Sequence, residues 1–162
     1  MKRLILSIFF LISLCWLILY TQPKKPDLSG TWLLNKTESQ LSGMMIPDNI
    51  EMVISHQEPK INIQKIIYVM GQERTQNLSY ITDGSETKSE GPRGGTRISK
   101  SHWEGEKLIV ESTMTVSTPR GEFTSESKET WALSSDGKTL TIDIITKNPR
   151  GESTQKQIFN KK

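Results

Sequence analysis

The stretch "KLIVESTMTVSTPRGEF", residues 107–123, decides the fold of this chain. Its inward-facing candidates are Leu108, Val110, Met114 and Val116, which alternate with charged or hydroxyl residues. A period of two is typical of a β-strand with one buried face, whereas an amphipathic helix would show a period near 3.6. The run ends in Thr-Pro-Arg-Gly, where proline sets one backbone bend and glycine permits the next. The chain is therefore predicted to reverse there into a second strand.

The same alternation recurs through most of the chain. It is clear in "IEMVISH", residues 50–56, and in "TLTIDIIT", residues 139–146. Other segments are rich in β-branched, aromatic and hydroxyl residues, which suit a pleated, half-buried surface. Beyond residue 20, the only helical candidate is a turn or two near residues 37–43, where Thr37 is predicted to cap. The fold class is therefore all-β.

Two kinds of turn alternate along the chain. Asp-Gly or Glu-Gly pairs occur at 83–84, 104–105 and 136–137, and Pro-Arg-Gly triplets occur at 92–94, 119–121 and 149–151. Successive turns of a hairpin series fall at opposite ends of the strands, so the triplets should share one end. Two interpretations of the triplets stay open. Either proline and glycine are there only to form the turns, or the arginines also form a recognition rim for an acidic or polysaccharide partner. These rim candidates are Arg93, Arg120 and Arg150.

A repeat indicates the topology. Aligning Trp103 with Trp131 and Leu108 with Leu140 superimposes two of the triplets, with a period of roughly 28 to 30 residues. Each unit is one hairpin, and sequential hairpins with one apolar face tend to close on themselves because closure removes exposed strand edges. We therefore predict a single antiparallel up-and-down meander β-barrel of about eight to ten strands, preceded by an N-terminal hydrophobic helix.

The first 20 residues, "MKRLILSIFFLISLCWLILY", predict export or membrane attachment. Two basic residues precede an uncharged apolar run of 17 residues from 4 to 20. Three interpretations stay open: an uncleaved signal anchor, a cleaved signal peptide, or a lipoprotein attached through Cys15. The anchor would hold the barrel at the extracytoplasmic side of a membrane, and cleavage would leave it periplasmic or secreted. Residues 21–27 then form a linker, and residues 28–162 form the barrel domain.

Composition excludes several classes of function. The first 20 residues hold two of the 21 basic residues and none of the 18 acidic ones, so the remainder is nearly neutral and offers no footprint for nucleic acid. Cys15 is the only cysteine, so no disulfide or thiolate metal site is predicted. His56 and His102 lie in different predicted strands without carboxylates at ligand spacing. No nucleophile–base motif is present, and we predict neither an enzyme, a metal site nor a cofactor.

Residues at both ends of the domain carry a family resemblance. Gly30-Thr31-Trp32 resembles the Gly-x-Trp motif of lipocalins and the Gly-Thr-Trp start of fatty-acid-binding proteins, and it is joined by "DGKTLTI" and "PRGE" later in the chain. Over residues 28–160 the chain is similar to a lipocalin-like, calycin-type group of exported bacterial proteins of unknown function. The resemblance implies that Gly30 and Trp32 close the narrow end of the barrel. The lipocalin Thr-Asp-Tyr loop is absent, and the interval from Trp32 to Ile50 is too short for the helical lid of fatty-acid-binding proteins.

The inward faces of two strands predict an internal cavity. Residues an even number of positions from Trp131 share its face, which is predicted to point inward; they include Ser125, Ser127 and Glu129. The same spacing from Trp103 places Arg97, Ser99 and Ser101 inward. Small or polar residues inside a barrel leave space. Alternatively, a bulge shifts the parity, as Ile98 on the opposite face suggests. The candidate ligand-binding residues are Tyr80, Arg97, Ser99, Ser101, Trp103, Met114, Ser125, Ser127, Glu129 and Trp131.

We accordingly expect a barrel that binds a small hydrophobic or amphipathic ligand, inside it or at its mouth. Met44 and Met45 are candidates for lining that mouth. The alternative is a non-enzymatic interaction module of the cell envelope that uses the Pro-Arg-Gly loops. The sequence leaves the oligomeric state open.

Overall fold

The computed structural model describes residues 25–42, 46–91, 94–119 and 121–162. They form ten β-strands, and the predicted N-terminal hydrophobic helix lies outside them. The strands are β1 Gly30–Leu34, β2 Asn49–Gln57, β3 Lys60–Val69, β4 Gln72–Ile81, β5 Asp83–Glu90, β6 Thr96–Glu104, β7 Lys107–Thr118, β8 Gly121–Leu133, β9 Thr139–Asn148 and β10 Gly151–Lys161.

The strands form one antiparallel meander that bends into a nearly closed barrel, as the period-two pattern predicts. The sheet order is β4-β3-β2-β1-β10-β9-β8-β7-β6-β5, so the first and last strands pair with each other. β4 and β5 share no hydrogen-bonded ladder among the described residues. They meet at the tight turn between them, where the Ser101 hydroxyl of β6 donates to the Ile81 carbonyl of β4 at 3.0 Å. The gap between β4 and β5 thus widens away from that turn.

The two kinds of turn lie at opposite ends of the barrel. We call the end with the Asp-Gly and Glu-Gly turns the closed end; there Gly105 and Gly137 have φ of 61° and 70°, which glycine adopts without strain. The strand ends that flank the Pro-Arg-Gly triplets lie at the other end, which we call the mouth. Arg93, Arg120, Met44 and Met45 lie outside the described residues. Arg150 is exposed, and its backbone N–H donates to the Asn148 side chain at 2.8 Å.

The apolar core fills the closed end. Trp32 is fully buried, its indole N–H donates to the Leu28 carbonyl at 2.9 Å, and the Lys161 ammonium lies 5.2 Å from its ring centroid. Leu108, Leu140 and Phe159 are likewise inaccessible to solvent. The segment that enters β1 is drawn across this end, since the Leu28 N–H and the Ser29 hydroxyl both bond to His56. Gly30 and Trp32, which the family resemblance assigns to barrel closure, lie at this end, and their closure role stays a prediction.

Within the described part of the helical segment predicted near residues 37–43, residues 37–42, the chain forms a single turn and no helix. Asn35, and not Thr37, receives the next N–H groups: its side chain accepts from Glu38 at 3.3 Å and its carbonyl accepts from Ser39 at 3.1 Å. Gln40 then exchanges backbone hydrogen bonds with Lys156 of β10. A helix cannot propagate because the chain is recruited to the barrel edge after one turn.

In the part of the chain that the structure describes, no helix has the length and apolar character needed to cross a membrane.

Candidate functional site

The interior of the barrel contains a cavity of about 210 Å³. It exists because the inward residues of most strands change from apolar near the closed end to polar farther along. Ten of the 17 described lining residues are polar or charged, so the cavity is more polar than a site for a purely apolar ligand would be. The apolar part is formed by Met52, Ile63, Leu78, Tyr80, Met114, Trp131 and Ile144, and the polar part by Lys65, Gln76, Arg97, Ser112, Ser125, Ser127, Glu129, Thr146, Gln155 and Gln157.

Seven of the ten candidate residues from the sequence line this cavity. They are Tyr80, Arg97, Met114, Ser125, Ser127, Glu129 and Trp131. The structure thus brings together residues from four strands. Their role as ligand contacts stays a prediction.

Ser99 and Ser101 also point inward but lie behind the lining. Ser99 is 2 % exposed and its hydroxyl lies 2.8 Å from that of Ser112, which does line the cavity. Ser101 donates to the Ile81 carbonyl. Ile98 between them faces outward and is 42 % exposed, and the β6–β7 ladder runs without a register shift. The serines therefore point inward and Ile98 points outward, without a bulge. The inward serine hydroxyls have hydrogen-bond partners within the barrel.

Trp103 differs from the expectation that it would line the ligand space beside Trp131. It lies half-buried at the closed end, stacked on the His56 ring with centroids 5.9 Å apart. Its indole N–H donates to the Glu58 carboxylate at 2.7 Å. A charged acceptor on the neighbouring turn holds the ring there, whereas Trp131 donates to Glu129 inside the barrel at 2.9 Å.

Sequence reasoning missed the cavity residues of β3 and β10. Lys65 belongs to the inward parity of Ile61 and Ile63, so a lysine on an otherwise apolar face was the available signal. Gln155 and Gln157 share the inward parity of Phe159 in the same way.

Three charged groups meet in the cavity. Lys65 is half-buried and lines the cavity. Burial lowers the pKa of its ammonium, Glu129 opposes that shift, and Arg97 reinforces it. Among the described residues, no nitrogen–oxygen ion pair within 4.0 Å involves Lys65, Arg97 or Glu129. When all three are ionised, the cavity has one positive charge in excess.

Three buried polar atoms at this cavity have no hydrogen-bond partner among the described residues. They are the Tyr80 hydroxyl, the Arg97 Nε and the Gln157 Oε1. Burial raises the pKa of Tyr80 far above its ordinary value, and the nearby Glu129 charge adds to that effect. The neighbouring Arg97 side chain opposes the shift through its charge and its approach to the hydroxyl, but the phenol stays protonated. Its ring meets Trp131 edge to face, with centroids 6.3 Å apart. Burying polar atoms without hydrogen bonds costs folding free energy, so a polar molecule in the cavity that bonds to these groups would be stabilised there.

A second polar cluster, at the closed end, is fully satisfied. Glu58 accepts from Thr82 at 2.7 Å, from Trp103 at 2.7 Å and from Lys25 at 3.2 Å, and His56 Nε2 lies 2.8 Å from it. Although burial alone would raise the pKa of Glu58, these hydrogen bonds hold it at about 2. His56 accepts the Leu28 N–H through Nδ1 at 3.2 Å, so its neutral tautomer carries the proton on Nε2. This cluster ties segments together and offers nothing to a ligand.

The outer face has larger but shallower depressions. One of about 410 Å³ crosses β5 to β9, and most of its charged residues form ion pairs, with Lys100 Nζ 3.2 Å from Glu86 and Lys128 Nζ 3.5 Å from Glu111. Another of about 540 Å³ lies beside the gap between β4 and β5. Neither contains an unpaired buried polar atom among the described residues, so the internal cavity is the stronger candidate.

Comparison with solved structures places the barrel among known folds. Over 83 % of this chain and 98 % of the other, it is similar to zebrafish ileal bile acid-binding protein complexed with cholic acid, at 16 % identity and a TM-score of 0.59. It is similar to the REP1-NXSQ fatty acid transporter over 84 % and 96 % of the two chains, at 13 % identity and a TM-score of 0.53. Secretory abundant heat soluble protein 4 from Ramazzottius varieornatus matches over 87 % and 96 %, at 16 % identity and a TM-score of 0.50.

The fold is a lipocalin-like calycin barrel. This confirms the fold that the Gly-Thr-Trp resemblance implies, and identities this low establish the fold alone. No protein-family model and no curated protein sequence matches the chain.

Proposed function

We propose that this protein binds a small amphipathic molecule inside the barrel. The observation that carries the proposal is the convergence of three unpartnered buried polar atoms, on Tyr80, Arg97 and Gln157, upon one cavity that also has an apolar wall. Pockets with a few convergent polar groups on an apolar surface are typical ligand sites. A fully packed barrel would gain stability by replacing such groups with aliphatic residues, so their presence favours binding.

The structural neighbours support the same class of ligand. Two of them are, by name, a bile acid-binding protein and a fatty acid transporter. Both names describe carriers of amphipathic molecules. A binding role also agrees with the state of the inward serines, since Ser99 and Ser112 hydrogen-bond to each other and not to a general base.

Filling the cavity should abolish binding. Ser127 lines it from the middle of β8, and Ser127→Leu places a larger apolar side chain there. We expect octanoate and octanamide, titrated separately by isothermal calorimetry, to include at least one that binds the unaltered protein. We expect Ser127→Leu to weaken that binding at least tenfold.

The matched control is Ser117→Leu, which makes the same substitution on the exposed face of β7. Because Ser127 also borders the outer depression of about 410 Å³, Ser125→Leu, at a residue that lines the internal cavity and not that depression, should weaken binding too. Unchanged binding in Ser117→Leu and an unaltered circular dichroism spectrum in all three variants would then locate the site inside the barrel. Failure of both compounds to bind, or equal weakening in Ser127→Leu and Ser117→Leu, would contradict the proposed function.

We propose further that residues 4–20 attach the barrel to a membrane. Their apolar run of 17 residues supports this. The chain reaches the barrel at the closed end, where Lys25 lies 3.2 Å from Glu58. Only residues 21–24 separate that point from the apolar run, and the five residue steps from 20 to 25 reach about 18 Å at most when extended. Attachment would thus hold the closed end near the bilayer, with the mouth opening away from it.

A further inference from the structure

We propose that the ligand is a small organic anion whose charged group lies between Lys65 and Arg97, with its apolar end resting on Trp131. The inference rests on the proposed function and specifies the class and orientation of the molecule bound there. Such a ligand would be smaller than a long-chain lipid and would contact more polar groups of the protein.

The charges of the cavity favour an anion. Lys65 and Arg97 both line the cavity, and the positive charge of Arg97 lies close enough to Lys65 to disfavour the charged form of that lysine. Among the described lining residues, Glu129 is the one carboxylate. One oxygen of Glu129 is already engaged by the Trp131 indole. A second negative charge would relieve the repulsion between the two cations and would replace the water that they lose on burial.

The order of residues along the strands sets the orientation. On β8 the inward positions run from Trp131 near the closed end through Glu129 to Ser127 and Ser125 toward the mouth. β9 repeats this order with Ile144 before Thr146.

The opposite wall shows the same order. On β3, Ile63 precedes Lys65 toward the mouth, and on β4, Leu78 precedes Gln76. On these four strands the apolar lining lies on the closed-end side and the polar lining on the mouth side, whereas on β7 Met114 lies nearer the mouth than Ser112. A bound amphiphile should enter with its apolar end first.

The volume limits the length of the ligand. A cavity of about 210 Å³ has room for about seven water molecules at roughly 30 Å³ each. Ligand pockets for drug-sized molecules usually begin at about 300 Å³. The site therefore suits a molecule with a short apolar part.

The neutral polar groups suggest additional hydrogen-bonding groups on the ligand. The Tyr80 hydroxyl can donate, because it stays protonated, and the Gln157 Oε1 can accept. A ligand carboxylate beside Arg97 can accept from the Tyr80 hydroxyl. A hydroxyl or amide N–H elsewhere on the ligand can donate to Gln157 Oε1. A small carboxylic acid with one further polar substituent would satisfy all three unpartnered atoms.

The charge assignment is tested with octanoate and octanamide, which share shape but differ in charge. We expect octanoate to bind at least tenfold more tightly. Arg97→Gln and Lys65→Gln should each reduce octanoate affinity at least fivefold while changing octanamide affinity less than twofold. Lys100→Gln is the control, since Lys100 lies on the outer face of the same strand as Arg97 and should change neither.

The orientation is tested by bromine quenching of tryptophan fluorescence, which requires near contact. We expect ω-bromooctanoate to quench strongly and α-bromooctanoate to quench weakly. The difference should vanish in Trp131→Phe and persist in Trp103→Phe, because Trp103 lies outside the cavity.

The outcomes separate this inference from the proposed function. If both octanoate and octanamide bind with equal affinity, or if α-bromooctanoate quenches more, the anion assignment or its orientation is wrong while ligand binding stands. If neither compound binds, both proposals fail. If Arg97→Gln unfolds the protein, Arg97→Lys retains the cation, and it should keep the preference for octanoate.

Discussion

Glu58 illustrates how one exposed-edge carboxylate can join separate segments at the closed end. Its partners come from residue 25, from β2, from the β4–β5 turn and from β6. Each hydrogen bond favours the ionised carboxylate, so the pKa of Glu58 is about 2 instead of 4.5. The folded protein therefore binds this proton more weakly than the unfolded chain does.

The sign of the resulting pH dependence follows from that difference. The stabilisation by Glu58 is fully present above about pH 4.5 and declines as the pH falls toward about 2. We expect Glu58→Gln to lower the free energy of unfolding by about 1–2 kcal/mol at pH 7, a value reduced for solvent screening because the side chain is 35 % exposed. Urea denaturation from pH 7 to pH 2.5 measures it.

The variant should also lose part of the dependence on pH between about 5 and 2 that the unaltered protein shows. Glu86→Gln is the control, since Glu86 pairs with Lys100 on the exposed outer face. Identical pH profiles for Glu58→Gln and the unaltered protein would contradict this account of the cluster.

At the scale of a single element, the start of β1 depends on the backbone of Gly30. Its φ is +137°, a conformation that residues with a side chain rarely adopt, and an added Cβ would lie 2.6 Å from the Lys161 side chain. We expect Gly30→Ala to destabilise the protein by about 1–3 kcal/mol, chiefly through backbone strain.

A second substitution distinguishes strain from crowding. Lys161 can move because the atom in question is near the end of a flexible side chain. If strain dominates, the loss of stability in the double variant Gly30→Ala with Lys161→Ala should equal the sum of the losses in the two single variants. Thermal denaturation of all three variants measures these losses. Full rescue by Lys161→Ala would instead assign the cost to crowding.

The gap between β4 and β5 makes those two strands the least supported elements of the barrel. Each is hydrogen-bonded to a neighbour on one side only, with β4 paired to β3 and β5 paired to β6. Backbone groups that face the gap have no ladder partner, so their amides should exchange readily with solvent.

Hydrogen exchange measured residue by residue by NMR checks this expectation. We expect gap-facing amides of β4 and β5 to exchange at least about 100-fold faster than amides of β8 between Glu126 and Leu133, where that strand is paired on both sides. The amides of β5 that bond to β6 provide the comparison within one strand. Equal protection of gap-facing amides and β8 amides would mean that the barrel closes in solution.

For the whole molecule, we expect the full chain expressed in bacteria to sediment with membranes and to require detergent for release. A chain that starts at residue 21 should be soluble, because it lacks the apolar run of residues 4–20. Recovery of a soluble product that begins near residue 21 from the full-length gene would show cleavage instead.

The orientation of the attached barrel is measured separately with a Cys15→Ser background and one new cysteine carrying a fluorophore. Asp136→Cys labels the closed end and Arg150→Cys labels the mouth. We expect spin-labelled lipid in the bilayer to quench the label at position 136 more strongly. Stronger quenching at position 150 would place the mouth toward the membrane.

The sequence by itself determined the strands, their hairpin order and the inward parity of β6 and β8. These properties are local, because side chains alternate between the two faces of a strand and glycine or proline marks each turn. Ser99, Ser125 and Trp131 could be assigned to the interior for that reason. The helical segment predicted near residues 37–43 ends after one turn because Gln40 pairs with a strand more than 100 residues away.

Only the tertiary structure decided which inward residues share a cavity. Lys65, Arg97 and Glu129 come from three strands, and their meeting depends on the register and curvature of the closed sheet, which no local pattern encodes. The same holds for Trp103 and Trp131, which occupy equivalent places in the repeat. Trp131 bonds to Glu129, two residues earlier on the same strand, whereas Trp103 has Ser101 at that place. The Trp103 indole N–H bonds instead to Glu58, a carboxylate 45 residues away that only the folded barrel brings within reach.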